Sequence, residues 1–283
     1  MRRYRIWAAT ALILFLLVRL VPGFGGFWGE RISLPLLRGL AKIGSSAPFS
    51  LLEWGALAAA GILLLSLLFR RFGKSLLCML LALASAYLAI WYPLYFFAQP
   101  EYSASSQQVA AVCGELIGEL NTVDADFAAL PPLPAKFARF PGWMRELGIT
   151  GICSFLTGEA LVSPELPNAS LPFVAVHERM HLEGVAGEGA ANIAAWENCM
   201  ARGGAFAASA KIWAVRYCMG MLRQADHALY ERCMDQMNPR TLELYREAGG
   251  AYAASGQSGM EKLLGVRQDY EILAHYLAAE PGQ

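Results

Sequence analysis

Three long apolar runs in the first third of the chain constrain its fold more strongly than any other feature. They occupy residues 6–21, 54–69 and 75–97. A helix needs about 20 predominantly apolar residues to cross the hydrocarbon core of a bilayer, and flanking residues can extend the two shorter runs to that length. The pattern therefore predicts three transmembrane helices, over about residues 6–22, 52–69 and 75–97.

The composition supports a membrane protein and divides the chain in two. Hydrophobic residues make up 56% of the 283 residues and charged residues only 16%, and both values depart from those of soluble proteins. Residues 1–97 contain ten Lys or Arg and two Asp or Glu, whereas residues 98–283 contain thirteen and twenty-one. We therefore expect a membrane domain over residues 1–97 and a second domain over 98–283. A lipid bilayer is the expected partner, and the lack of a basic stripe argues against nucleic acid.

The first apolar run has a second interpretation, as a cleaved signal peptide. "MRRYR" would serve as its basic leader, and the run has a suitable length. The residues that follow, "PGFGGFWGE", contain no small-x-small cleavage site. The sequence therefore favours an uncleaved anchor.

The distribution of basic residues predicts the direction of the spans. Cytoplasmic loops carry an excess of Lys and Arg, and two basic clusters stand before the first run and between the second and third. Their members are Arg2, Arg3, Arg5, Arg70, Arg71 and Lys74. Residues 22–53 then lie outside, with "ISLPLLRGLAKIG" along the outer membrane surface, and the aromatic "WYPLYFF" suits the outer interface. We expect a multi-pass protein of the cytoplasmic membrane with residues 98–283 extracytoplasmic.

The second domain is expected to be mainly α-helical with a small β element. Apolar residues recur at helical spacing over about residues 107–120, 173–183, 188–200, 204–237 and 261–279. The segment "GICSFLTGEALVS", residues 151–163, has β-branched and aromatic residues in partial alternation, which favours a strand pair. The predicted fold class is mainly α, of the α+β type, after three transmembrane helices.

The segment "HERMH" carries the clearest chemical signal. His177 and His181 are four residues apart, so on a helix they lie on one face about one turn apart and can reach one metal ion. Glu178 stands beside the first histidine, where its carboxylate can take a proton from a water molecule. The spacing therefore predicts a zinc-dependent hydrolase centre with Zn²⁺ as cofactor.

A catalytic zinc site needs a third protein ligand, and Glu188 is the best candidate. If the helix continued straight, Glu188 would lie about 10 Å further along the histidine face, too far to share the metal. A turn at Gly184 and Gly187 would bring it back. Glu183 and Glu197 are alternatives for this ligand.

Further polar residues are candidates for supporting roles. Asn192 is one helical turn beyond Glu188 and could hydrogen-bond a metal ligand. Tyr217, His227 or His275 could stabilise the oxyanion of an acyl-transfer reaction. Both histidines lie in helical patterns, which favours a structural or surface position for each.

The block "TGEALVS…LPFVAVHERMHLEGVAGEGAAN", residues 157–192, resembles the bacterial membrane family catalogued as domain of unknown function 3810. Its members resemble zincin metallopeptidases that use a glutamate as third ligand. The resemblance extends over nearly the whole chain, although only this block is specific. It implies that His177, His181 and Glu188 bind zinc and that Glu178 is the general base. It also implies that the strand of residues 157–160 is an edge on which an extended substrate pairs.

These observations predict a membrane-anchored zinc metallopeptidase with a zincin-like domain that cleaves peptide or protein substrates outside the cytoplasmic membrane. One alternative is a non-catalytic sensor or assembly protein that retains the fold, although a scaffold has no need for Glu178. The other alternative is a zinc hydrolase that acts on a cell-wall amide.

Overall fold

The computed structural model of the chain describes residues 2–69, 71–98, 101–123, 127–250 and 272–279, which are mainly helical. Within them, the helices Leu51–Leu68 and Phe72–Phe96 are long and apolar enough to cross a membrane. A third span is possible only if the segments Ala8–Leu20 and Phe24–Ser46, which meet at 119°, act as one broken span. The first predicted span is thus separated from the other two by a sharp bend, and the fold has two or three candidate spans.

The bend has a local cause. Pro22 and Gly23 interrupt the helix, and Gly23 adopts a φ of 75°, which favours glycine. The elements of this part are α1 (Arg2–Leu20), α2 (Phe24–Trp28), a π turn (Gly29–Ser33), α3 (Leu34–Ser46), α4 (Leu51–Leu68) and α5 (Phe72–Ala86), which continues as a π turn (Tyr87–Trp91) and a 3-10 turn (Tyr92–Phe96).

One side of the segment around α3 packs against the rest of the protein, and the other side is exposed. A π turn frees carbonyl groups from the helical hydrogen-bond pattern, and the carbonyl of Ala89 accepts hydrogen bonds from Trp28 Nε1 (2.9 Å) and Ser33 Oγ (2.8 Å). Leu37 and Ala41 of α3 are buried in the same apolar cluster as Trp91. The predicted surface helix therefore has one face covered by protein.

The second part begins with α6 (Ser106–Thr122), where Ser105 and Gln108 form a reciprocal capping box. The elements that follow are β1 (Lys136–Phe137), α7 (Gly142–Glu146), β2 (Gly151–Ser154), β3 (Glu159–Val162), α8 (Leu171–Leu182), α9 (Glu188–Arg202), α10 (Gly204–Ala225), α11 (His227–Asp235), α12 (Pro239–Gly250) and α13 (Ile272–Ala278). The predicted strand pair and the helices up to residue 237 are confirmed, with small differences in their ends. Of the helix predicted over residues 261–279, residues 261–271 lie outside the described residues, as does Arg70 of the predicted cytoplasmic loop.

The three strands form one small sheet in the order β1–β3–β2. β1 pairs with β3 in parallel, and β2 pairs with β3 in antiparallel register, with Gly151 opposite Val162 and Ser154 opposite Glu159. β3 is therefore the central strand, with β1 paired only along Leu161 and Val162. The edge predicted over residues 157–160 consists of the end of a turn and the first two residues of β3, which pair with β2 on one side. Among the described residues, β2 has one unpaired edge.

The main apolar core lies between the long helices and fixes the position of α8. Phe173 and Val176 of α8 pack in one cluster with residues of α6, α9 and α10, such as Ile117, Ile193 and Ile212. Fully burying one such side chain stabilises a fold by about 2 kcal/mol. Burial on this scale holds α8 in place between β3 and the helices behind it.

Candidate metal centre

The two histidines of α8 lie side by side at the end of the helix. Pro172 lies in the first turn of α8, where a backbone N–H has no intrahelical partner, so its missing N–H costs the helix no hydrogen bond. His177 and His181 follow on one face, with their Nε2 atoms 3.1 Å apart. His181 is buried and His177 is half-buried. The helix thus presents two imidazole nitrogens at one point, as the spacing predicts.

Gly184 reverses the chain after α8 and brings Glu188 back to the histidines. Its φ is 101°, which L side chains rarely adopt, and a Cβ atom there would collide with Leu34 Cδ1. α9 then begins at Glu188, whose Oε2 lies 3.0 Å from His177 Nε2 and whose Oε1 lies 3.5 Å from His181 Nε2. The backbone conformation therefore favours glycine at position 184, and any larger residue would also push the end of the Leu34 side chain aside.

The donor set fits a zinc ion. The ligand atoms of His177, His181 and Glu188 all lie within 4.8 Å of one another. Two ligands on a tetrahedral zinc ion with bonds of 2.0–2.1 Å are about 3.3 Å apart, and the three closest separations here run from 3.0 to 3.5 Å. Two imidazoles and one carboxylate leave a fourth tetrahedral position free, which is typical of catalytic zinc sites.

The second nitrogen of each imidazole has a different environment. His181 Nδ1 lies 2.6 Å from the carbonyl oxygen of Val185. Since a carbonyl only accepts, this bond holds the proton on Nδ1 and leaves Nε2 free for a metal. His177 Nδ1 is buried and has no hydrogen-bond partner among the described residues.

Charge separation within the site is strong when no metal is bound. Burial lowers the pKa of His181, but the Glu188 carboxylate more than offsets this effect, and the pKa rises to about 9. Burial raises the pKa of Glu188, but the two histidines outweigh it and hold that pKa well below its usual range. The metal-free site is therefore an imidazolium–carboxylate pair at neutral pH, in which a proton occupies the place of a metal.

Glu178 lies beside this cluster, against strand β2. Its side chain is buried, and a Cβ atom built on Gly151 would lie 2.6 Å from both its Cγ and its Oε1. Burial raises the pKa of Glu178, with partial compensation by His177 and His181. A carboxylate with a raised pKa binds a proton more readily, which suits a general base.

Tyr217 and Asn192 form the outer side of the site. Tyr217 Oη donates to Asn192 Oδ1 over 3.2 Å, and Asn192 Nδ2 is buried with no partner in the described part of the chain. Burial, together with the charges of Glu188 and Glu178, raises the pKa of Tyr217 well above its usual range, so its hydroxyl remains a donor. Asn192 therefore meets the site through Tyr217 and does not bond a ligand directly.

The other candidate residues lie elsewhere. Glu183 is paired with Arg179 (2.7 Å), and Glu197 accepts from Tyr276 Oη (2.9 Å). His227 is exposed on α11, 3.6 Å from Glu231. His275 Nδ1 accepts from the backbone N–H of Ala104.

Two contacts of the site come from segments that carry no motif. Gly151 is the neighbour that allows Glu178 its position. Trp91, which follows α5, has its ring centroid 5.8 Å from that of His181, in an edge-on arrangement. A glycine in a short strand and a tryptophan in an apolar helix are ordinary in sequence, and only the tertiary structure relates them to the histidines.

Residues 99–267 match the profile of a family described as Protein of unknown function (DUF3810). The match covers more than half of the 283 residues. It excludes the apolar helices at the amino terminus, to which the sequence resemblance had been expected to extend. No curated protein and no solved structure matches the chain.

Proposed function

Because the chain belongs to the family described as Protein of unknown function (DUF3810), whose description assigns no activity, we propose a function from the site itself: a membrane-anchored zinc metallopeptidase with a zincin-like domain. One observation carries the proposal. Three metal-binding side chains converge within 4.8 Å while a fourth, Glu178, is buried beside them. An ionisable carboxyl group is costly to bury, and a buried carboxylate beside three potential zinc ligands suits a general base.

His177, His181 and Glu188 would hold the ion. When bound, zinc supplies Lewis-acid chemistry, polarising a carbonyl oxygen and making a water molecule more acidic. The Glu178 carboxylate takes one proton from the attacking water and passes it to the departing amine. The oxygen of that water ends on the acyl carbon, so the products are a carboxylic acid and an amine.

Tyr217 would contribute a hydrogen bond in the same step. Its hydroxyl stays protonated over the physiological range, since its pKa is raised. A protonated hydroxyl near the ligand carboxylate can donate to the oxygen that gains negative charge as the carbonyl is attacked. The hydroxyl has a single proton, which it donates to Asn192 Oδ1 in the structure, so it must turn from Asn192 to that oxygen to make this bond.

The side of the membrane follows from charge. Arg71 lies between α4 and α5 and Lys74 in the first turn of α5, and short connections rich in Lys and Arg remain in the cytoplasm. The opposite end of both helices, which carries the second domain, would then face outward. We propose that the metal centre works on the extracytoplasmic side of the cytoplasmic membrane.

The test uses purified full-length protein and a degenerate peptide mixture analysed by mass spectrometry. Wild-type protein should release fragments, and Glu178→Gln should bind the same amount of zinc but release none. Glu183→Gln is the matched control, because Glu183 is on the same segment but pairs with Arg179, and it should retain full activity.

Peptidoglycan fragments, tested in parallel, separate the peptidase from a cell-wall amidase. Hydrolysis of the peptidoglycan fragments and of no peptide would identify the protein as a cell-wall amidase instead of a peptidase. Equal hydrolysis by wild type and Glu178→Gln would contradict the role of Glu178.

A further inference from the structure

The metal centre is in direct contact with the last turns of the third apolar helix. Trp91 is 9% exposed and packs edge-on against His181, and Phe155, in the turn between β2 and β3, packs against both Trp91 (6.1 Å) and Tyr87 (5.8 Å). Tyr87 is one turn deeper in the candidate span Phe72–Phe96. Trp and Tyr side chains concentrate at the headgroup level of a bilayer, so both the ligand ring and the end of β2 would lie at that level.

Two buried carboxylates fasten the sheet to the start of α4. Glu159 of β3 accepts from the backbone N–H groups of Leu51 (3.0 Å) and Leu52 (2.8 Å) and from Lys136 Nζ (2.8 Å). Such bonds satisfy donors that a helix start leaves unpaired, and a negative charge is favoured there. The sheet is therefore attached to the end of a candidate span.

The second carboxylate makes the reciprocal connection. Glu53, in the first turn of α4, accepts from the backbone N–H groups of Arg139 (2.8 Å) and Phe140 (2.9 Å). Each bond joins a charged acceptor to a backbone donor, and such bonds are stronger than those between neutral groups. With α4 bound at both carboxylates, the second domain has little freedom to swing away from the membrane.

Helix α3 extends the same surface. Leu37, Ala41 and Gly44 form its buried stripe, and a Cβ atom at Gly44 would collide with the carbonyl oxygen of Gly158 in the turn between β2 and β3. The outer side of α3 and of the π turn before it carries both apolar and basic side chains, which are Ile32, Leu36, Ile43, Arg31, Arg38 and Lys42. This combination is typical of a helix lying in the headgroup region of an anionic bilayer.

The open edge of β2 is where an extended peptide could add a strand beside Glu178. In an antiparallel pair, alternate residues turn their backbone groups towards the partner strand, and Thr150 O accepts from Ser163 N. Gly151 and Cys153 then direct their backbone groups away from β3, to the unpaired edge. Gly151 also contacts Glu178, so a peptide on this edge would pass the general base.

From these contacts we infer that the site takes an extended segment of a protein anchored in the same bilayer, close to its anchor. This inference rests on the proposed peptidase function. The ring of Trp91, which would lie at the headgroup level, has its centroid 5.8 Å from that of the proposed ligand His181. An extended chain advances about 3.3 Å per residue, so a site this close to the headgroup level places the cleaved bond a few residues from the anchor.

The experiment uses the full-length protein reconstituted in vesicles of phosphatidylethanolamine and phosphatidylglycerol. The probes are randomised peptide segments carried by an apolar helix of about 20 residues that anchors them in the vesicle. In one probe the segment adjoins the anchor, and in the other a Gly/Ser spacer of about 30 residues, with a mean reach of about 30 Å, intervenes. The same segments free in solution form a third probe, and Glu178→Gln gives the background.

We expect the adjoining segment to be cleaved at least about tenfold faster than the spaced one, because its effective concentration at a membrane-level site is higher. Cleavage of the spaced or free segment as fast as the adjoining one, or faster, would overturn the inference and leave the peptidase function intact. No cleavage of any probe by zinc-loaded protein would contradict the peptidase function, and the inference with it.

Discussion

Replacing Gly151 with alanine should displace the general base without disturbing the metal ligands. The new Cβ atom would lie 2.6 Å from Cγ and Oε1 of Glu178 and 2.9 Å from its Cδ. Unstrained contacts begin at about 3.4 Å, so the Glu178 side chain must retreat by roughly 0.8 Å.

The magnitude follows from the geometry. A misplacement of about 1 Å at a reacting group costs about 10²-fold in rate, so we expect Gly151→Ala to lower kcat/KM by about that factor, or about 2.7 kcal/mol of transition-state stabilisation. The collision involves the end of a side chain and no backbone atom, so the fold should tolerate it. A cost of about 1 kcal/mol corresponds to a fall in Tm of about 2–4 °C.

The assay combines peptide hydrolysis, zinc content and thermal denaturation of the same preparations. Gly118→Ala is the matched control, because Gly118 is on α6 with no atom within 4 Å of the added Cβ. It should keep its activity and zinc content, and its Tm should rise slightly, since alanine is about 1 kcal/mol more favourable than glycine inside a helix. A Gly151→Ala protein with normal activity would refute the position of Glu178 beside β2. Loss of zinc in that variant would show that the strand supports the ligands and not the base.

Three further predictions concern the ligands and the turn. Glu188→Gln should weaken zinc binding by at least about 10²-fold in a chelator competition, since it removes a charged ligand; unchanged affinity would exclude Glu188 as the third ligand. The apparent zinc affinity should rise about tenfold per pH unit from pH 7 up to about 9. The raised pKa of His181 keeps its imidazole protonated below about pH 9, so a proton competes with zinc for this ligand. An affinity independent of pH would contradict this competition. Gly158→Ala should lower the free energy of unfolding by more than about 3 kcal/mol, because φ is 64° and the Cβ atom would collide with the backbone of Leu40. Gly23→Ala, with φ of 75°, left-handed backbone and no atom within 4 Å, should cost only about 1–2 kcal/mol. Equal losses in denaturant titrations would show that the contact of Gly158 with α3 is not formed.

Local sequence patterns were sufficient for the elements that hold the ligands. Helix spacing placed His177 and His181 on one face, and the glycines after them indicated the reversal that brings Glu188 within 3.5 Å of both histidines. The turn at Gly184 depends on the φ of that one residue, and only glycine adopts this φ readily. Whether these side chains bind a metal ion stays a prediction.

Those local patterns did not predict the tertiary contacts. The strand that the TGEA segment leads into is the central one, because the two-residue strand β1, within a proline-punctuated loop, pairs with Leu161 and Val162 on its other side. So short a strand gives no alternation to detect. The contact of Trp91 with His181 joins positions 90 residues apart, and apolar periodicity does not specify which distant side chain a tryptophan meets.

The bend after α1 was missed for a related reason. Hydropathy over residues 6–21 predicts a span by composition, whereas the direction of the following helix depends on Pro22 and Gly23 and on what α3 packs against. The apolar side of α3 buried with Trp91 could equally have been read as the side that faces lipid, since both environments select the same residues.

Zinc content of the purified full-length protein tests the central claim most directly. Elemental analysis should give about one zinc per chain for the wild type, the same for Glu178→Gln, and much less than one for a folded His181→Ala protein. Zinc near zero in folded wild-type protein, or full zinc in folded His181→Ala, would contradict a metal centre at His177, His181 and Glu188.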